Sequence, residues 1–142
     1  MSQLLPTMLI VDDNEEFCAS LFDCFEERGF EVDASIDAVT ALFLNQSREY
    51  DVAVVNLNLP AMSGLTAFRR MRRVCPNLQG VLITETLNPG TAAEACQAGF
   101  NAVLAKPIDF SQLEQMVLDA CGRTFRPEVT AELAHAEIAN SA

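Results

Sequence analysis

Four short apolar runs, separated by stretches of helical periodicity, constrain this chain more than any other feature. They lie at residues 8–11, 52–55, 81–83 and 102–105. A run of that length with no polar break suits a strand buried on both faces, as in a parallel sheet. A fifth segment, 30–34, alternates Phe30, Val32 and Ala34 with Glu31 and Asp33. That alternation suits an edge strand with one wet face.

The segments between read as helices. Phe17, Leu21 and Phe25 recur every four residues, and Asp13 stands three before Glu16, as at the start of a capping box. Gly29 looks like the stop signal of this helix. A second helix is expected over 38–47. A third follows Gly64, carries Leu65, Phe68 and Met71, and stops before Pro76. A fourth spans about 91–98, with Gly99 closing it. A fifth opens at Asp109, carries Leu113, Met116, Val117 and Ala120, and ends at Gly122. Five β–α units joined by right-handed crossovers predict an α/β fold, a doubly wound parallel sheet with helices on both faces. Residues 7–122 account for it. Residues 123–142 read as a C-terminal tail or short appended helix, starting near Pro127 with a thin stripe of Val129, Leu133 and Ala136.

Charge narrows the function. Nine Lys and Arg stand against 20 Asp and Glu, a formal net charge of −11. Such a chain is repelled by DNA and by anionic membrane, so neither is expected as a partner. No apolar run approaches the ~18 residues of a membrane span. No basic segment precedes the first apolar stretch, so a signal peptide is not expected and a cytoplasmic location is. The five cysteines, with no CxxC pair, then read as free thiols packing as small apolar residues. The single histidine, His135, lies outside the body of the chain, which excludes a Ser-His-Asp triad or a His-rich metal site there. Without a His or a Gly-rich phosphate loop near the strand ends, a small α/β enzyme is disfavoured.

Each buried strand ends in a polar residue. The first gives Asp12 and Asp13, the third Asn56, the fourth Thr84, and the fifth Lys106 ahead of Pro107. In an open α/β sheet the carboxyl ends of the strands converge on one crevice, where ligands bind. Two carboxylates, an amide, a hydroxyl and an ammonium should therefore share a small pocket.

These residues, with the loop 51–64 and Lys106-Pro107 following Ala98-Gly99, resemble a response-regulator receiver domain of two-component signalling. The resemblance covers about residues 7–122. It implies a flavodoxin-like (βα)5 sheet of strand order 2-1-3-4-5, and phosphoryl transfer from a histidine kinase onto an Asp at the end of the third strand. Carried onto this chain, Asp12, Asp13 and the backbone carbonyl of Asn58 fall on the Mg²⁺ ligands. Asn56 falls on the phosphoacceptor, Thr84 on the switch hydroxyl and Lys106 on the phosphate-pairing lysine. A cis Lys106-Pro107 bond is also implied.

The chain departs from that pattern. An amide cannot serve as the carboxylate nucleophile. It also removes an anionic oxygen, so Mg²⁺ binding should be weakened without vanishing. Glu85 follows Thr84, where the family keeps a small residue, and a carboxylate there opposes an incoming phosphate. Val103 replaces the switch aromatic. With no phosphate to bind, the Lys106 ammonium should pair with Asp12, Asp13 or Glu85 in a crevice open to water. The expected function is an atypical receiver acting as a protein–protein interaction module, not an enzyme. The alternative is an ordinary phosphoacceptor receiver whose Asp was replaced by Asn56. The partner is a protein: a histidine kinase, an effector or another signalling protein. A second copy joined through the fourth helix, fifth strand and fifth helix is the other arrangement considered. The interaction face expected there includes Glu85, Thr91, Glu94, Ala95 and Val103.

Overall fold

Every apolar run forms a strand, and every interior strand is covered on both sides. The computed structural model describes residues 6–122. In chain order the elements are β1 (Thr7–Val11), α1 (Glu15–Glu27), β2 (Glu31–Ser35), α2 (Ala38–Ser47), β3 (Val52–Asn56), α3 (Gly64–Val74), β4 (Gln79–Thr84), α4 (Pro89–Ala98), β5 (Ala102–Ala105) and α5 (Phe110–Gly122). The strands form one parallel sheet of order β2-β1-β3-β4-β5, the flavodoxin-like arrangement. The helix expected after Pro127, and His135, lie outside the described residues.

The two-residue period of a strand divides the core in two. Met8, Ile10, Val52, Val54, Val81, Ile83 and Leu104 face one layer with Leu21, Phe25, Leu113 and Val117 of α1 and α5. Leu9, Val11, Ala53, Val55, Leu82 and Val103 face the other, with Ala41, Phe68, Met71 and Ala95 of α2, α3 and α4. Burial of a large side chain such as Phe25 or Leu113 contributes about 1.5–3 kcal/mol, so these two layers dominate the stability. At the sheet edge, Arg48 bridges Glu31 and Asp33 of β2 at 2.7 and 3.0 Å, and the Tyr50 hydroxyl donates to Asp33 at 2.6 Å. Charges on an edge strand discourage pairing with another sheet.

Three local expectations are corrected. The cap of α1 is Asn14, whose Oδ1 accepts from the Phe17 amide at 3.0 Å. A cap must reach the amide three residues on, and Asp13 is one residue too early to do so. The fourth helix starts at Pro89, two residues before the expected Thr91. Asn88 caps it and Pro89, which has no amide hydrogen to satisfy, takes its first turn. The cysteines are all free, and Cys18, Cys75 and Cys121 pack in or against the core as expected, but Cys96 is exposed on the outer side of α4.

Candidate functional site

Strand register brings the polar residues together. Val11 pairs with Val55, so Asp12 and Asn56 follow side by side at the ends of β1 and β3. Thr84 pairs with Ala105, which sets Lys106 one residue beyond the end of β4. The Lys106-Pro107 bond is cis.

Asp12 and Lys106 form a buried ion pair. Lys106 Nζ lies 2.9 Å from Asp12 Oδ2, with side-chain exposures of 16% and 0%. The other carboxylate oxygen, Oδ1, accepts from the Asn14 amide at 2.9 Å. The ammonium also sits 4.4 Å from the centroid of the Phe17 ring, a cation–π distance. The expectation of an open crevice is corrected at Asp12: covered by the chain around it, this carboxylate meets no water. The thiol of Cys18 donates to the Asp12 backbone carbonyl at 3.0 Å. Burial, and then the Asp12 charge, push this thiol up to about 11, so it stays protonated at neutral pH.

Asn56 forms a second group. Its Nδ2 donates to the Asn58 carbonyl at 2.9 Å and reaches Asp13 Oδ1 at 3.5 Å. Two oxygens that the resemblance assigns to a metal thus face the hydrogens of an amide. Thr84 is fully buried, and its hydroxyl exchanges hydrogen bonds with the backbone of Thr86 at 3.1 and 3.4 Å, not with Asn56 or Lys106.

Mg²⁺ requires near-octahedral anionic and neutral oxygens. Here one carboxylate is ion-paired to Lys106, and Asp13 and the Asn58 carbonyl both face the Asn56 amide. No group of three or more His, Cys, Asp or Glu among the described residues is arranged to hold a metal ion.

Gly64 sets the β3–α3 loop. Its amide donates to the Leu57 carbonyl at 2.7 Å, and a Cβ on it would collide with the Asn56 carbonyl oxygen and the Val55 side chain. The backbone cannot yield as a side chain can. Gly64→Ala should therefore cost about 3 kcal/mol, the upper end for overpacking. A denaturant titration checks it, and a midpoint matching the unmodified chain would refute the close approach.

Of the expected interaction face, only part reaches the surface. Glu85 and Glu94 are exposed. Thr91, Ala95 and Val103 are not, at 8%, 1% and 2% exposure: Thr91 and Ala95 lie on the inner side of α4, and Val103 is a strand residue of β5 in the core. Sequence reasoning missed Asn14, Phe17, Cys18 and Gly64 as neighbours of the site. Phe17 read only as a core position, and Gly64 as the end of the loop 51–64 and a helix start, without its close approach to Asn56.

A parallel 2-1-3-4-5 sheet with an acid pair, a Thr and a Lys at its strand ends defines a receiver. The chain belongs to the response regulator receiver domain family, whose profile matches residues 8–118. It is similar to the two-component response regulator PhoP of Pseudomonas aeruginosa, 33% identical over 107 residues, which make up 75% of this chain and 48% of that protein. The chain spans about half the length of such curated relatives. Among solved structures it is similar to the signal receiver domain of an HD domain-containing protein from Pseudomonas fluorescens, 27% identical, with a TM-score of 0.79 over 86% of this chain and 90% of that one. A Burkholderia pseudomallei response regulator with a phosphorylated aspartic acid, calcium ion and citrate shares the fold, at 24% identity, a TM-score of 0.77, and coverage of 95% and 75%. No helix among the described residues is long and apolar enough to cross a membrane.

Proposed function

We propose that this receiver domain signals as a protein–protein interaction module without aspartyl phosphorylation. One observation carries the reading: the side chain at the phosphoacceptor position is an amide whose nitrogen donates towards Asp13 and the Asn58 carbonyl. An amide offers no carboxylate nucleophile. Its hydrogens also occupy the oxygens a divalent cation would need, so Mg²⁺ binds weakly. Lys106, with no phosphate to hold, rests on Asp12.

The partner is a protein, such as a histidine kinase, an effector or a second copy, meeting α4, β5 and α5, where Glu94 and Leu118 are exposed. Val103 is buried in that region and offers no aromatic ring to report events at the site. The domain then acts as a fixed scaffold and not as an enzyme.

The test is chemical. Incubation with acetyl phosphate and Mg²⁺ should leave the intact mass unchanged. A gain of one phosphoryl group, labile to hydroxylamine and mapping to residues 51–64, would overturn the proposal.

A further inference from the structure

The charge of this chain is divided between its two faces. On one, α1 carries Glu15, Glu16, Asp23, Glu26 and Glu27 and no basic residue. On the other, α3 carries Arg69, Arg70, Arg72 and Arg73 and no acid. Arg72 is spent internally: it donates to the Pro76 carbonyl at 2.8 Å and to the Gly99 carbonyl at 3.4 Å. Arg69, Arg70 and Arg73 are exposed, and none pairs with a carboxylate among the described residues. Cations in the last turn suit the helix C-terminus, which accounts for Arg73. It does not account for Arg69 and Arg70, more than a turn back from Val74, where like charges along one helix face repel.

Beside this helix lies an apolar surface. α2 has no charged residue along its whole length. Its inner face packs on the sheet through Ala38, Ala41 and Asn45, and the Asn45 amide donates to the Met71 carbonyl at 3.0 Å, tying α2 to α3. Its outer face leaves Val39 63% and Phe43 66% exposed, one turn apart. Ile36 just before α2 and Val74 at the end of α3 are exposed too. Thr40, Gln46 and Ser47 share that outer side, but two large apolar side chains left mostly exposed one turn apart on an uncharged helix point to a cover over them.

We infer that the outer faces of α2 and α3 dock an acidic amphipathic helix of a partner protein. Its apolar stripe would lie over Val39 and Phe43, and its carboxylates against Arg69, Arg70 and Arg73. An amphipathic helix meets an apolar surface through anchors at i, i+3, i+4 and i+7. A second copy fits less well. Its acidic helix, α1, presents Glu15, Glu16, Asp23, Glu26 and Glu27, but its large apolar residues Leu21 and Phe25 are buried. Nucleic acid would meet the arginines but leave Val39 and Phe43 uncovered. The surface is separate from α4, β5 and α5. The inference rests on the domain being an interaction module, but not on the loss of phosphorylation, so its test reads a different outcome.

The test is a titration of the full chain, labelled with ¹⁵N, against a synthetic peptide of about 18 residues, long enough to hold a helix. The peptide carries Leu at i, i+3, i+4 and i+7, flanked by Glu; a second has Lys in place of Glu. Amide shifts should concentrate in residues 38–47 and 64–74, and the affinity of the Glu peptide should fall as salt rises from ~0.05 to ~0.5 M. Arg70→Glu with Arg73→Glu should weaken it about tenfold or more, and Phe43→Ser about fivefold, with circular dichroism unchanged. No binding, equal binding of the Lys peptide at the same residues, or indifference to these variants would overturn the proposal. So would phosphatidylserine vesicles shifting the same amides, which would make this a membrane-facing surface. A concentration-dependent dimer broadening those amides would assign it to a second copy.

Discussion

Lys106→Met should destabilise the protein by about 3 kcal/mol at neutral pH, a loss of roughly 10 °C in melting temperature. The chemistry is asymmetric. A buried ion pair adds little net stability as a whole, because both charges were taken out of water to form it. Removing one partner, however, leaves the other charge buried and unbalanced. Asp12 is fully buried, and among the described residues its carboxylate's other hydrogen-bond partner is the Asn14 amide. Methionine keeps most of the lysine stem and removes the ammonium together with its cation–π contact to Phe17, so the loss reports the charge more than the packing of the stem. Neutralising both ends, as in Asp12→Asn with Lys106→Met, should recover a good part of it. Differential scanning calorimetry of the two single variants and the double variant measures the coupling. A Lys106→Met melting temperature at or above that of the unmodified chain would show that the pair does not hold this site together.

How much could be read before any coordinates depends on whether local pattern or tertiary direction decides the matter. The parallel sheet was legible because strands with two covered faces must be apolar at consecutive positions, as Val52 to Val55 are. The edge strand was legible from the charges at Glu31 and Asp33. The convergence of Asp12, Asn56 and Lys106 followed from the topology, since parallel strands end together. What remained hidden was direction. In a helix of small residues such as α4, no hydrophobic pattern tells which alanine faces inward, so Thr91 and Ala95 read as surface and are buried. In α2 apolar and uncharged polar residues are spread around the helix, with Asn45 on the inner side, so the sequence located the helix but not its exposed side at Val39 and Phe43. The amide of Asn56 donating to the Asn58 carbonyl depends on a loop geometry that Gly64 permits, and a two-residue spacing says nothing about that.

Asn56→Asp should make Mg²⁺ stabilise the domain far more than it stabilises the unmodified chain. Two changes occur at once. The variant loses the donors that now face Asp13 and the Asn58 carbonyl, and it adds a carboxylate to a site that already holds Asp12 and Asp13. In chelator it should be less stable by about 1 kcal/mol, because a third carboxylate joins Asp12 and Asp13 and the hydrogen bonds to two part-buried acceptors are lost. Mg²⁺ supplies the missing positive charge, and at a hundredfold excess over its dissociation constant it adds about 2.7 kcal/mol. The unmodified chain should melt at nearly the same temperature with Mg²⁺ or with chelator. The variant also regains a nucleophile, so acetyl phosphate should add one phosphoryl group to it. Glu85 is exposed, so water screens its opposition to the incoming phosphate. Adding Glu85→Ala should raise the rate only several-fold, about 1 kcal/mol of barrier. Phosphorylation should leave partner affinity nearly unchanged, because Val103 is packed in the core beneath α4 and has no ring to move. Thermal shift with and without Mg²⁺, intact mass after acetyl phosphate, and partner titration of both forms decide the matter. If the single variant phosphorylates rapidly and its partner affinity changes with it, Asn56 is the only lesion and the domain is an ordinary receiver with its acceptor replaced.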